Sequence, residues 1–395
     1  MCDTLCVVGA HGTLFAKNSD RPPGEIQVAR AFARRPRGRS LRTQYLDLGP
    51  DPGAAALWVA SQPAWLWGLE HGINEHRVAI GNQTVYTIDD RWAAPAALLG
   101  MDIVRLALER ASTADEALTV VTALVERHGQ GGSGWQHERQ PYFSSFVIAD
   151  PNRAWLVETS GRIWVAAPLD EGGAALSNRL SLGTEWTRAS PHVTAGTDWQ
   201  RWRDPKAPTA IADLRLAVTR ACATASPSPG YRSIIEALRD HGTADGALPA
   251  GVRDDWAGVS VCMHVRGYQA TTASCVAELP RDPEAPMRHW VALGSPCASV
   301  YVPGFGGAIA PELAEPATWQ RFARLRDRIE SDPTRSEELA ATRAVLDPVE
   351  AELWEQADLC EQAGRWEQAG TAGSPVELAA TAFAPVDAAL TRLGV

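Results

Sequence analysis

The first twenty-two positions switch twice between apolar and polar character around a glycine turn. Cys2-Asp3-Thr4 leads into Leu5-Cys6-Val7-Val8, the chain turns between Gly9 and Gly12, and Thr13-Leu14-Phe15-Ala16 gives way to Lys17-Asn18-Ser19-Asp20-Arg21-Pro22. The pattern predicts a strand, a hairpin turn and a second strand. An antiparallel return lays the second strand beside the first, so Lys17, Asn18, Asp20 and Arg21 come back near Cys2.

Further along, 78–87 reads as a strand and 93–110 as a helix whose apolar positions are Leu98, Met101, Ile103, Val104, Leu106 and Leu108. Thr113-Ala114-Asp115-Glu116 has the capping-box spacing that opens a second helix, with apolar positions to Val125. Segments 143–149, 154–159 and 162–167, separated by Pro151-Asn152 and Ser160-Gly161, predict an antiparallel meander. Helical patterns over 211–223 and 231–240 precede strand-like 259–265, 273–279 and 289–294. From Pro316 the tail is helical, with Pro333, Pro348 and Pro375 as expected breaks. No repeat or low-complexity linker divides the chain, so one catalytic domain is expected, and sheet blocks alternating with helix pairs suit stacked layers.

The chain has 395 residues, 45% hydrophobic and 21% charged, enough for a sizeable core. Its formal charge of −10, from 37 basic and 47 acidic residues, argues against generic affinity for nucleic acid or anionic membrane. The local exception, Arg30, Arg34, Arg35, Arg37, Arg39 and Arg42, reads as a solvated loop beside Pro36 and Gly38. No run of about 18 apolar residues and no charged stretch with an apolar signal core occurs, which points to a cytoplasmic chain. Seven cysteines without a CxxC spacing fit reduced thiols better than a disulfide framework or a zinc cage. Cys6, Cys222, Cys275, Cys297 and Cys360 are most simply packing residues.

Cys2 carries the most chemical information. Removal of Met1 would leave a cysteine with both a thiol and a free α-amine, which titrates near about 7.7–8.0, so one residue would supply nucleophile and base. In the returning strand, Lys17 or Arg21 would depress a nearby pKa and Asp20 would hold a cationic partner.

With these residues the opening resembles that of the secernins: Cys2-Asp3-Thr4, Phe15 through Pro22, and Glu25-Ile26-Gln27. Pro63-Ala64-Trp65-Leu66-Trp67-Gly68, Asn74-Glu75-His76, Ala79-Ile80-Gly81-Asn82-Gln83, Leu99-Gly100-Met101-Asp102, Gly129-Gln130-Gly131-Gly132, Ser177-Asn178-Arg179-Leu180-Ser181, Cys262-Met263-His264 and Thr271-Thr272-Ala273-Ser274 continue the match in order. It covers most of the chain to about residue 300 and is less distinct beyond. Secernins are similar to the dipeptidase A peptidases, and both belong to the N-terminal nucleophile (Ntn) hydrolases. The resemblance implies an α+β, four-layer αββα sandwich with two antiparallel sheets between helical layers, a catalytic domain over 1–310 and a helical extension over 311–395 packed on it.

It also implies a cysteine amidohydrolase or peptidase that cleaves a small amide or dipeptide through a Cys2 acyl-thioester. Acyl transfer from the same thioester and a non-catalytic, secernin-like interaction role are the alternatives. Asn82 falls where an oxyanion-hole donor is expected, and Asn178 where a residue orients the α-amine or intermediate. Asp20 and Arg21 complete the catalytic candidates. Lys17, Asn18, Trp65, Trp67 and His264 are the substrate-binding ones. The wider hydrolase group often carries an arginine two or three positions before the hairpin aspartate, where this chain has Lys17. An arginine from mid-chain is a further contributor that the sequence does not single out.

Other motifs weigh less. Cys262 and His264, two apart on a strand, share a face, but read as a packed cysteine and a structural or pocket-lining histidine rather than an independent dyad. Thr271, Thr272 and Ser274 would add hydroxyls to that pocket. Gly129 through Gly134 satisfies GxGxxG but follows a helix, so it reads as a connection or a loop near substrate rather than a dinucleotide fingerprint. Fifteen tryptophans are many for this length; Trp65 and Trp67 would face the same way if extended, as pocket lining or core. His71 and His76 lack a supporting ligand cluster, so neither metal nor cofactor is expected. The expected partner is a small amide or peptide; nucleic acid and membrane are not, and self-association is compatible with such a chain.

Overall fold

The computed structural model describes residues 1–38, 40–242, 256–265, 267–332, 334–362 and 374–395, so Arg39 and Pro333 lie outside the described residues. In chain order, the hairpin strands β1 (Cys2–Gly9) and β2 (Gly12–Arg21) precede β3 (Gln27–Phe32), β4 (Ser40–Arg42), β5 (Asp47–Pro50), β6 (Leu57–Pro63), β7 (His71–Asn74) and β8 (Ala79–Val85). Helices α1 (Gly100–Leu108) and α2 (Ala114–His128) lead to β9 (Phe143–Ala149), β10 (Ala154–Ser160), β11 (Ile163–Leu169), β12 (Gly172–Leu176) and β13 (Arg188–Ala189). Then come α3 (Thr209–Ala223), α4 (Tyr231–Leu238), β14 (His264–Val265), β15 (Gln269–Pro280), β16 (Arg288–Leu293) and β17 (Val302–Phe305). The tail is α5 (Pro316–Ser331), α6 (Arg335–Gln362), α7 (Pro375–Thr381) and α8 (Phe383–Arg392).

These strands form two antiparallel sheets. One runs β12-β1-β2-β15-β16-β17, with β14 on β15; the other runs β13-β11-β10-β9-β8-β7-β6-β3. They face each other where β1 meets β8 and β9, while α1 and α2 cover the second sheet and α3 and α4 the first. The expected α+β, four-layer αββα arrangement is therefore the observed one. Strand β9 illustrates why its sequence is apolar at successive positions. Val147 and Ala149 face the other sheet, Phe146 and Ile148 face α1 and α2, and both sides are covered. In the tail, Trp319, Phe322 and Leu390 share a buried cluster with Trp290 and Val291 of β16.

The opening hairpin pairs Gly9 with Gly12 and Cys2 with Ser19. Gly12 has φ +141°, and a Cβ there would lie 2.2 Å from the Leu279 carbonyl oxygen, so the turn requires glycine. The hairpin and the meander β9-β10-β11 follow the sequence pattern closely. Elsewhere the structure departs from it. Helix α1 begins at Gly100 rather than 93, because Pro95 disfavours helix before it, Leu98 forms a bridge to Gln130, and the Leu99 amide is capped by Asp102 Oδ2 at 3.0 Å. Of 259–265 only His264–Val265 is strand. Pro348 lies inside α6 instead of ending it, and Trp65 stands in a turn that sends Trp67 in another direction. Among the described residues, no helix is long and apolar enough to cross a membrane.

Candidate active site

Alternation along the hairpin sorts the polar residues onto two faces. Cys2 lies opposite Ser19, Asp3 opposite Asn18 and Thr4 opposite Lys17. The side chains of Cys2, Thr4, Lys17 and Ser19 therefore enter the space between the sheets, and those of Asp3, Asn18 and Asp20 point toward α3 and α4.

Between the sheets, Glu70 is the hub. Its carboxylate lies 2.5 Å from Arg21 Nη1, 3.7 Å from Lys17 Nζ and 3.8 Å from Cys2 Sγ. Asn82, with its amide nitrogen turned toward Glu70, donates to Oε2 at 3.0 Å and to the Glu70 carbonyl at 2.8 Å. Lys17 Nζ also donates to Ser19 Oγ at 3.0 Å. Arg21 is clamped by Glu25 at 2.5 Å and by the Gly134 carbonyl at 2.5 Å. The glycine-rich segment thus ends against the site, while Gly129 caps α2 through its amide to Val125. Gly100 admits the start of α1 beside these groups: a Cβ there would meet Ser144 Oγ at 2.0 Å.

On the helix-facing side, Arg215 is fully buried. It donates to Asp3 Oδ2 at 2.5 Å and to Asn178 Oδ1 at 2.7 Å, and lies 3.5 Å from Asp20. Asn178 Oδ1 also accepts from the Cys2 backbone nitrogen at 2.8 Å, and its Nδ2 donates to the Thr84 carbonyl at 2.9 Å. Asn178 is thereby fixed with its oxygen toward the Cys2 nitrogen. Thr271 Oγ1 donates to Asp20 Oδ1 at 2.7 Å, and the Met1 amine contacts the Asp20 carbonyl and Gln269 Oε1.

The electrostatics follow from burial and charge. Burial pushes the Cys2 thiol up, with Lys17 opposing and Glu70 reinforcing the shift. Burial also raises the Asp20 carboxyl to about 6, against the pull of the Met1 amine and Arg215. Glu70 shows the opposite balance: burial resists its ionisation, but Arg21 and Lys17 outweigh it and hold the carboxyl below its usual range. The Met1 amine is lowered, chiefly by burial.

The structure therefore brings Cys2, Asp20, Arg21, Asn82, Asn178 and Lys17 together. Asn18 is committed elsewhere, its Nδ2 donating to the carbonyls of Leu238 and Val261, both at 2.9 Å. Trp65 borders the site and donates to Glu25 at 3.2 Å, within an apolar group containing Leu66, Met101 and Tyr142. Trp67 turns to the other helix layer, under the Arg105 guanidinium at 4.4 Å. His264 belongs to a different cluster, beside Cys262 and Cys297.

Sequence reasoning missed Glu70 and did not locate Arg215. Glu70 lies in no recognised motif. Arg215 did carry a signal: it interrupts the buried stripe of α3 formed by Ile211, Ala212, Leu216 and Thr219, a place where an arginine demands buried partners.

No protein-family model matches the chain. Among solved structures it is similar to penicillin V acylase from Agrobacterium tumefaciens, with TM-score 0.45 and 11% identity over 80% of this chain and 88% of that one. It is also similar to a mutant conjugated bile acid hydrolase from Clostridium perfringens, with TM-score 0.41 and 11% identity over 73% and 88% of the two chains. For the Caenorhabditis elegans N-acylethanolamine-hydrolyzing acid amidase ortholog, the TM-score is 0.36 and the identity 11%, over 70% and 92%.

Proposed function

We propose that this protein is an N-terminal-nucleophile cysteine amidohydrolase that becomes active when Met1 is removed, cleaving a small amide or dipeptide in the manner of the secernin and dipeptidase A group. The observation that carries the reading is the double anchoring of Cys2, whose thiol borders the Glu70–Lys17 network while its nitrogen is held by Asn178. Buried charge networks are costly to assemble, and one converging on a single cysteine fits catalysis better than stability.

Once Met1 is gone, the Cys2 nitrogen becomes the α-amine and keeps the Asn178 Oδ1 acceptor. The burial that lowers the Met1 amine would act on it as well, favouring the neutral form that takes the thiol proton. The thiolate attacks the substrate carbonyl carbon, the carbonyl electron pair moves onto oxygen, and collapse expels the amine with a proton returned from the α-ammonium. Water, deprotonated by the same amine, then cleaves the thioester and releases the acid.

Asn82 Nδ2 and Lys17 Nζ both address the Glu70 oxygen nearest the thiol. An oxyanion formed near that point would take these donors as Glu70 shifts toward Arg21, which supports Asn82 as the oxyanion donor. Asn178, held by Arg215 and Thr84, orients the amine. The Asp20 amide, which donates to the Met1 carbonyl at 2.9 Å, is released by processing and can bind a polar group of substrate. The Met1 side chain packs with Met263, Val265, Trp256 and Tyr268. Its departure would leave these apolar side chains to face an apolar acyl or side-chain group of the substrate.

The test is intact mass and N-terminal sequencing of the purified protein, followed by an amide and dipeptide screen with mass-spectrometric trapping of the Cys2 acyl-thioester. A free Cys2 terminus and a trapped adduct that is absent in Cys2→Ala are expected. Turnover by Cys2→Ala, or by a chain that retains Met1, would sink the proposal.

A further inference from the structure

Four soft or borderline donors converge behind the candidate active site: His241 after α4, Cys262 and His264 at the start of the β14–β15 hairpin, and Cys297 in the turn after β16. One ligand atom from each lies within 4.8 Å of all the others. Cys262 Sγ and Cys297 Sγ are both 3.3 Å from the same imidazole nitrogen, His264 Nε2. The rings of His241 and His264 are 5.2 Å apart at 58°. Four atoms bound tetrahedrally to zinc at the usual bond lengths of about 2.3 Å for sulfur and 2.0–2.1 Å for nitrogen stand about 3.4–3.8 Å from one another. The observed cluster needs only small adjustments to reach that geometry.

The surroundings fit a closed metal site. The other nitrogen of His264, Nδ1, lies 2.6 Å from Glu330 Oε1, the carboxylate–histidine relay that fixes the tautomer and turns Nε2 toward a metal. Cys262 and Cys297 are buried and His241 is exposed, giving an entry path from solvent on one side. The Cys262 amide donates to the Asp240 carbonyl at 3.0 Å, which ties the His241 segment to the Cys262 segment. A catalytic role for these thiols fits less well, because both address one imidazole nitrogen at equal distance and a second histidine completes the set.

We propose that His241, Cys262, His264 and Cys297 bind one zinc(II) ion in a structural, four-coordinate site. Binding replaces the two thiol protons with Zn–S bonds and releases them to solvent. The ion would clip together the ends of α4 and β16 and the turn before β15. From there a hydrogen-bond chain runs to the hairpin: the Met263 amide donates to Thr271 Oγ1 at 2.8 Å, and Thr271 Oγ1 donates to Asp20. The metal would thus hold the support of Asp20 without touching substrate.

The experiment uses the untagged full chain, purified under reducing conditions without chelator. Elemental analysis should find about one zinc per chain. After chelator treatment, cobalt(II) should restore a sulfur-to-metal charge-transfer band and the intense visible bands of tetrahedral cobalt. His241→Ala, at an exposed position, should keep the native far-UV spectrum and lose metal affinity, as should Cys297→Ser. Glu330→Gln should weaken zinc binding by about 10- to 100-fold, and Cys222→Ser should bind as the parent does. Failure of the folded, reduced protein to take up zinc or cobalt would overturn the proposal. So would an octahedral cobalt spectrum, undiminished affinity in Cys297→Ser, or a Cys262–Cys297 disulfide in the isolated protein.

Discussion

Replacing Arg215 by Met tests whether the charge network beneath Cys2 is as dry as its packing indicates. Met keeps an unbranched chain of similar bulk, but removes the only guanidinium that lies against both Asp3 and Asp20 among the described residues. Breaking a buried ion pair by deleting one partner costs about 3–5 kcal/mol, because the other charge is left without compensation. That is a large part of the roughly 5–15 kcal/mol that holds a typical protein folded. The loss should depend on pH with a definite sign. The Asp20 carboxyl already sits at about 6, raised by burial and partly offset by Arg215; without Arg215 it rises further. A carboxyl whose folded pKa exceeds its unfolded value of about 3.9 weakens the fold above the folded pKa and ceases to do so below the unfolded one. The part of the Arg215→Met deficit that passes through Asp20 should therefore develop as the pH rises through about 6, the parent's folded value, and vanish below it, because the unfolded value is common to both chains. Urea unfolding followed by tryptophan fluorescence at several pH values measures this directly. Adding Asp3→Asn should recover part of the loss, on the order of 1–3 kcal/mol of coupling. A deficit below about 1 kcal/mol, or one that does not change with pH, would refute the reasoning.

Cys2→Ala should abolish amide turnover while costing no more than about 1 kcal/mol of stability, read from activity and denaturant melts on one preparation. Asn82→Ala should lower kcat by about 10²–10³ with a much smaller change in KM, as loss of an oxyanion donor does; an effect confined to KM would assign it to ground-state binding. Glu70→Gln removes a negative charge that reinforces the burial-driven rise of the Cys2 thiol, so alkylation by iodoacetamide should set in at lower pH than in the parent. An unchanged or raised pH profile would contradict that. Asn74 donates to the carbonyls of Leu108 and Ala111 and accepts from the amides of His76 and Val78. At about 0.5–1.5 kcal/mol for each bond, Asn74→Ala should cost on the order of 3 kcal/mol in urea unfolding, with KM unchanged.

The parts of this fold that were legible in the sequence are those whose partners are close along the chain. The opening hairpin, the β9–β11 meander and the start of α2 are each decided by local alternation, turn residues or a cap. At Thr113 the hydroxyl accepts from the Glu116 amide at 3.1 Å, as the motif predicts, although Glu116 reaches back to the Ser112 amide at 2.7 Å. Errors arose where tertiary contacts override pattern. Apolar positions before Gly100 look helical, but Leu98 and Ala97 bond to the segment around Gly131. The stretch before His264 has strand-like composition, yet the Cys262 and His264 amides bond to the carbonyls of Asp240 and Gly258. Pro348 forfeits one backbone bond, while Leu346, Val349 and Leu353 around it are buried, which keeps α6 continuous.

The candidate site divides in the same way. Lys17, Asp20 and Arg21 were placed near Cys2 by hairpin geometry, which needs no knowledge of the rest of the fold. Glu70 reaches the thiol from the opposite sheet and Arg215 from a helix more than two hundred residues away in sequence, and no local pattern encodes either approach. Trp65 and Trp67 were paired on the premise of an extended backbone, which the turn at this point removes.

The two faces of one strand bear on the proposal that a single residue serves as both nucleophile and base. Lys17, Ser19 and Arg21 alternate with Asn18 and Asp20 along β2, so adjacent residues feed two networks separated only by the sheet backbone. Cys2 stands at the end of the neighbouring strand, with its side chain in the first network and its nitrogen in the second. The thiol lies beside Glu70 and its Lys17 partner, and the nitrogen donates to Asn178, which Arg215 holds in turn. In the proposed mechanism the thiol that attacks and the amine that takes its proton would thus have different surroundings, although they share one residue. The layout places unusual demands on Asp20, whose carbonyl and amide meet Met1 while its carboxylate faces Arg215 and Thr271. The Thr271 hydroxyl that holds this carboxylate is itself fixed by the Met263 amide, which donates to it at 2.8 Å.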